Sequence, residues 1–212
     1  METMHSVRVF LLDRYTATRM GLRQAFEREG LQVMGENPSA EEALSAIGAD
    51  RPDSLVMDVE LEDMSPLLVV KRARMLAPQM PILALSAHPD CDLLHELWCA
   101  GARGFVRKDE DPWLVFLGVL VLANGASYLS PAMSALWAEN PQAPKTDGDG
   151  YITARELEVV RLVSGGRTNR EVALALQVSE STVEYHLRQL YRRLGLHRRA
   201  ALLQTAKDHG WL

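Results

Sequence analysis

Cysteine is almost missing. Two thiols, Cys91 and Cys99, serve a chain of 212 residues, too few for a disulfide framework and in keeping with a reducing cytoplasm. Both fall in one predicted helix, where they read as small apolar side chains rather than a pair. Long apolar runs are missing as well. The longest, Trp113 to Leu122, is interrupted by Gly118 and falls far short of the ~20 residues that cross a bilayer. The opening residues METMH lack the basic-then-apolar order of a signal peptide, so a cytoplasmic location with no membrane partner is expected. There are no internal repeats and no low-complexity segments. An overall excess of positive charge is also lacking: the net charge is −5, which argues against a nucleic-acid binder until the chain is divided.

Division changes that picture. Residues 151–212 carry 10 Lys and Arg against 6 Asp and Glu, whereas residues 1–150 carry 13 against 22. Charge therefore segregates, as it should when one part faces phosphate and the other does not. Between them, AENPQAPKTDGDG from Ala138 to Gly150 holds two prolines, two glycines and no large apolar residue, the composition of a linker. Its DGDG lacks the remaining ligands of a calcium loop and reads as a polar turn. The expected division is a domain over 1–125, a linker over 126–150 and a second domain over 151–212.

Upstream of the linker, strand-like and helix-like segments alternate. VRVFLL from Val7 is a nearly continuous apolar run, as a strand buried on both faces should be. Leu31 to Gly35, Leu55 to Val59, Ile82 to Ser86 and Gly104 to Val106 read as further strands. Each is followed by a helical segment, the first over 16–29 with Met20, Leu22, Ala25 and Phe26 inward. Five such units with short joints predict an α/β doubly wound five-stranded parallel sheet. Working residues of these sheets lie just beyond the carboxyl ends of the strands. Those ends carry Asp13, Asp58, Ser86 and Lys108: two carboxylates, a hydroxyl and an ammonium on one edge.

The segments VRVFLLD, PDSLVMDV, ILALSAH and GARGFVRKD resemble, in order and spacing, the receiver domain of two-component response regulators, over the first 125 or so residues. The resemblance implies flavodoxin-like strand order and Asp58 as phosphoacceptor. It places Ser86 and Lys108 on the phosphoryl oxygens, makes Phe105 a switch aromatic, and implies a sensor histidine kinase as partner. A carboxylate attacks such a donor when a cation such as Mg²⁺ neutralises the transferring oxygens. The family carries two adjacent acids after strand one, and this chain has Asp13 followed by Arg14. Mg²⁺ held by Asp13 and Asp58 is therefore expected to bind weakly, and phosphorylation of Asp58 to be weak or dispensable. Glu60, in an acidic loop with Glu62 and Asp63, offers an alternative carboxylate, while Arg14 offers a partner for Asp58 that mimics a neutralised state. Open alternatives are a conventional phosphorylation-activated receiver, one gated by a ligand or protein partner, and a phosphatase-like enzyme using Asp13, Asp58 and Lys108.

The helix over 111–124 is apolar at nearly every position from Trp113 to Ala123, whereas a surface helix needs only one stripe about 100° wide. Its second face must be covered. A homodimer through Trp113, Phe116, Leu117 and Leu120 is one solution; the apolar residues of segment 126–137 are the other.

Past the linker, Thr153 with Glu156 and Thr168 with Glu171 form two capping boxes. The first opens a helix ended by Gly165 and Gly166. The second opens a helix with Val172, Ala175 and Leu176 inward. After a turn at Gln177 and Val178, Ser179 caps a third helix reaching about Leu194, with Val183, Leu187, Leu190 and Leu194 buried. A fourth is expected over 198–208. Two short helices across a tight turn make a helix-turn-helix. The exposed side of the third helix carries Ser181, Glu184, Tyr185, Arg188, Arg192 and Arg193, a set suited to the major groove. Residues 151–210, through ITARELEVVRLVSGGRTNREVALALQVSESTVEYHLRQLYRRLGL, closely resemble the LuxR-type helix-turn-helix domain, a small all-α fold. The resemblance implies double-stranded DNA as partner, and the two-fold symmetry of a homodimer would place the two recognition helices on an inverted repeat. It assigns base contacts to Glu184, Tyr185 and Arg188, and phosphate contacts to Thr182 and its neighbours. Glu184 replaces the usual Lys and can accept from cytosine N4. A transcription regulator rather than an enzyme is the expected whole.

Overall fold

The computed structural model describes residues 6–138 and 154–193; within the second stretch the side chains of 154–157, 164, 189, 192 and 193 are outside the description. The chain divides into two compact units, Met1–Tyr151 and Ile152–Leu212.

In the first unit β1 (Arg8–Leu12), β2 (Gln32–Asn37), β3 (Ser54–Asp58), β4 (Ile82–Ser86) and β5 (Gly104–Arg107) alternate with α1 (Thr16–Arg28), α2 (Ala40–Asp50), α3 (Pro66–Leu76), α4 (Cys91–Ala100) and α5 (Trp113–Ala123). All strand pairs are parallel and the order is β2-β1-β3-β4-β5-β6. The sixth strand, β6 (Tyr128–Leu129), is followed by α6 (Pro131–Ala138). Segment 126–138 thus belongs to the folded unit and is not part of a linker. Every residue of β3 and β4 is buried, which explains why those runs are apolar on both faces. Helices α2, α3, α4 and α6 share one core with the sheet, through Leu44, Val70, Leu97 and Met133 among others.

The outcome for α5 differs from the dimer expectation. Leu114 through Val119, with Val121 and Leu122, are buried within the subunit. Phe116 is 2% and Leu117 0% exposed, so neither is an outer position; Trp113 and Leu120 are half-buried. The second face is covered by the chain itself, because the extra strand carries the fully buried Tyr128 over α5. Gly118 makes that approach possible: a Cβ there would lie 2.8 Å from Tyr128 Cδ1 and 3.1 Å from Leu83. Met20, expected inward on α1, is 62% exposed, and Leu22 and Phe26 anchor that helix instead.

The second unit contains α7 (Ala154–Ser164), α8 (Asn169–Leu176) and α9 (Glu180–Arg193). Val159, Val160 and Val163 are buried on α7. On α8 the inward residues are Val172, Ala173 and Leu176, while Ala175 faces out. Thr153, Leu194, Gly195 and the helix expected over 198–208 lie outside the described residues.

Gly118→Ala should destabilise the first unit by roughly 1–3 kcal/mol through overpacking, although Ala is intrinsically the better helix former by ~1 kcal/mol. Urea unfolding followed by far-UV circular dichroism measures it; a gain in stability would contradict the close seating of α5 on Tyr128.

Candidate functional site

Parallel strands bring their carboxyl ends to one edge, and the order places β1 beside β3 at the point where the sheet reverses direction. Asp13 follows β1 and Asp58 ends β3, so the two carboxylates meet there. Ser86 closes β4, and Lys108 follows β5 with its amide donating to the Ser86 carbonyl at 2.8 Å. The structure brings all four sequence-predicted residues together. Asp13 is 2%, Asp58 0% and Ser86 2% exposed.

Lys108 organises the pocket. Its Nζ lies 2.7 Å from Asp13 Oδ2 and 2.8 Å from Asp58 Oδ2, a single ammonium between two buried carboxylates. The remaining oxygens are held by backbone: Asp13 Oδ1 accepts from Tyr15 N at 2.8 Å, and Asp58 Oδ1 from Glu60 N at 3.0 Å. Arg19, 8% exposed and absent from the sequence-based set, donates to the Asp13 carbonyl at 2.6 Å and so fixes the end of β1. The Ser86 hydroxyl is buried without a hydrogen-bond partner, an orphan pointing to an additional acceptor when the pocket is in use.

Arg14 does not pair with Asp58. It bridges Glu60 at 3.7 Å and Glu62 at 3.5 Å, and donates to the Tyr15 hydroxyl. Glu60 is thereby engaged in a long, part-exposed ion pair. Burial works against the Arg14 charge, but Tyr15, Glu62 and Asp58 together outweigh it and raise its pKa above the ordinary guanidinium value. The Tyr15 ring has the Arg14 guanidinium 4.5 Å and Lys108 Nζ 5.4 Å from its centroid, so an aromatic flanked by two cations stands at the pocket. Sequence spacing gave no signal for Tyr15 or Arg19, because both lie past the strand end, Tyr15 as the residue that caps α1 and Arg19 within it.

Mg²⁺ fits this donor set poorly. The Oδ2 atoms of both carboxylates already meet Lys108, and a guanidinium follows Asp13 where a further acid would serve a hard cation. Among the described residues no group of three or more His, Cys, Asp or Glu is placed to hold a metal ion.

Phe105 lies fully buried on β5. Its ring centroid is 6.4 Å from Trp98 of α4 and 6.0 Å from Trp137 of α6, and the two tryptophans are 5.6 Å apart.

In the second unit, Thr168 and Glu171 form the expected capping box. The Thr168 amide and then its hydroxyl hold the Glu171 carboxyl below the usual carboxylate range. Gln177 turns the chain in the left-handed region (φ 53°), and Ser179 Oγ accepts from Thr182 N at 3.1 Å to start α9. Val183, Leu187 and Leu190 are buried. Ser181, Glu184, Tyr185 and Arg188 are exposed together, with Thr182 half-buried; the side chain of Arg192 is outside the description. Asn169, at the start of α8, joins Glu184, Leu187, Arg188 and Tyr191 around an open cleft of about 290 Å³. Asn169 was not legible as a site residue, since its neighbourhood with α9 depends on the turn.

The family profile described as response regulator receiver domain matches residues 9–115, and that of bacterial regulatory proteins, luxR family, matches residues 151–206. The transcriptional activator protein ExaE of Pseudomonas putida is 30% identical over 209 residues, covering 96% of this chain and 97% of its own. The transcriptional regulatory protein MctR of Rhizobium johnstonii is 27% identical over 206 residues, covering 96% and 94%. A LuxR-family two-component response regulator from Aurantimonas sp. superposes with a TM-score of 0.61 at 27% identity, over 64% of this chain and 97% of that one.

Lys108→Met should cost about 3–5 kcal/mol, the scale of a buried ion pair that loses one partner. Chemical denaturation at neutral pH measures it. A loss below ~1 kcal/mol, the range of exposed pairs, would contradict the bridging role.

Proposed function

From the premise that this chain belongs to the DNA-binding response regulators of the LuxR family, we propose that it controls transcription through a receiver whose phosphorylation at Asp58 is weak or dispensable. The observation that carries this reading is Arg14 directly after Asp13, where the family carries a second acid, beside a pocket in which Asp13 and Asp58 already meet Lys108. In the proposed function part of the carboxylate charge is offset from within the chain, and phosphoryl transfer to Asp58 must compete with an existing ion bridge. Asp58 remains the acceptor, Ser86 and Lys108 the groups for the phosphoryl oxygens, and Phe105 the aromatic that responds. Mg²⁺ association at Asp13 and Asp58 is weak on this reading, and a sensor histidine kinase is the partner for whatever phosphorylation occurs.

DNA recognition is assigned to α9. Ser181, Thr182, Glu184, Tyr185, Arg188 and Arg192 are proposed contacts, Arg188 reading a base and Thr182 a phosphate. A homodimer on an inverted repeat places two copies of α9 about one helical turn apart. Phe116 and Leu117 are not part of its interface, being inside the subunit. No described helix is long and apolar enough to cross a membrane.

Two measurements test these assignments. Arg188→Ala is expected to weaken binding to a duplex selected from a random pool by roughly 1–3 kcal/mol and to relax preference at one position per half-site; unchanged affinity would remove Arg188 from the interface. Arg14→Asp should increase acetyl phosphate labelling of Asp58 in the presence of Mg²⁺, read by intact mass. Stoichiometric labelling of the wild-type protein within minutes would contradict the weak-acceptor reading.

A further inference from the structure

Helix α6 has eight residues, well below the ~12–15 at which isolated helices become even marginally stable in water. It exists because both its ends are fastened to the first unit. At the start, Ser130 is fully buried and its amide donates to the Phe105 carbonyl at 2.9 Å. Its hydroxyl donates to Glu110, whose other carboxylate oxygen accepts from Ala132 N at 3.0 Å. Glu110 also accepts from Arg107 N at 3.2 Å. One carboxylate thus ties together the end of β5 and two N-terminal donors of α6, a capping role supplied from a distant part of the chain. At the other end, Trp137 is 7% exposed against Trp98 and Phe105, and the Leu136 carbonyl lies 3.7 Å from Cys91 Sγ.

Both fastenings lead to the pocket. Glu110 is two residues past Lys108, whose ammonium holds Asp13 and Asp58. Phe105 lies on β5, three residues before Lys108. The chain continues from α6 to the DNA-binding half. We propose that α6 is the output element of the receiver: a displacement of the loop 107–111 or of Phe105 makes the Glu110 and Trp137 fastenings of α6 yield together. A helix too short to stand alone is suited to this, since loss of either end removes its reason to fold. The proposal rests on the reading that the second unit binds DNA under control of the first.

The test uses the full chain and a duplex selected from a random pool by the wild-type protein. Glu110→Gln keeps the side-chain shape and weakens the acceptor; Trp137→Leu removes the aromatic contact. Each should shift duplex affinity in the same direction by about fivefold or more, the lower range of coupling between sites. Glu110→Gln should also red-shift tryptophan emission as Trp98 and Trp137 separate. Leu22→Ala, on α1 away from α6, supplies a comparable loss of packing and should leave affinity unchanged. Wild-type affinity in both α6 variants, or an equal shift in Leu22→Ala, would overturn the proposal. Arg188→Ala run alongside separates the two levels: undiminished binding there would remove the DNA-reading role of Arg188 and not only its control by α6.

Discussion

Two carboxylates out of water at the edge of a parallel sheet must be compensated, and one ammonium does most of that. Lys108 reaches both Asp13 and Asp58, so β1, β3 and β5 are tied at their carboxyl ends by charge as well as by backbone ladder. Burying such charges is unfavourable unless pairing and hydrogen bonding are nearly complete, and here each free oxygen of the two acids meets a backbone amide. One cation against two anions leaves the pocket negative, which suits a second cation, Arg14, nearby, and the Tyr15 ring packs against both cations. A receiver built this way carries its own countercharge. Incoming phosphate has to displace an ion contact at the acceptor, although Asp58 Oδ2 meets Lys108 without a well-aligned hydrogen bond.

The same edge connects outward through β5. Its continuation holds Lys108 and Glu110, and its own residue Phe105 packs beneath α6. Addition of β6 lengthens the sheet beyond five strands and gives α5 a covered face. An apolar helix that would have needed a second subunit is instead satisfied by Tyr128, with Gly118 as the point of closest approach.

Much of this was legible in the sequence. Continuous apolar runs located the buried strands, and the polar residue closing each run located Asp13, Asp58, Ser86 and Lys108. In the second unit the Thr168–Glu171 spacing and the 183, 187, 190 apolar series fixed α8 and the face of α9. Other features were not legible, for identifiable reasons. Periodicity shows that α5 must be covered but not by what, and a two-residue strand such as β6 has too little pattern to notice. Ala173 and Ala175 carry the same side chain, so composition alone does not distinguish inward from outward. The partners of Arg14 depend on the path of the acidic loop, which brings Glu60 and Glu62 nearer than Asp58. Glu110 resembles any exposed acid until Ser130 and Ala132 are seen beside it.

Central to the account is that the countercharge inside the pocket makes phosphate a minor input to DNA binding. The most direct measurement is a titration of the selected duplex with the wild-type full chain, with and without acetyl phosphate and Mg²⁺, at one fixed ionic strength because such affinities depend steeply on salt. The account predicts two isotherms that superpose. A tenfold or greater tightening, about 1.4 kcal/mol, would contradict it and show that Asp58 is released from Lys108 as readily as in a fully phosphate-driven receiver.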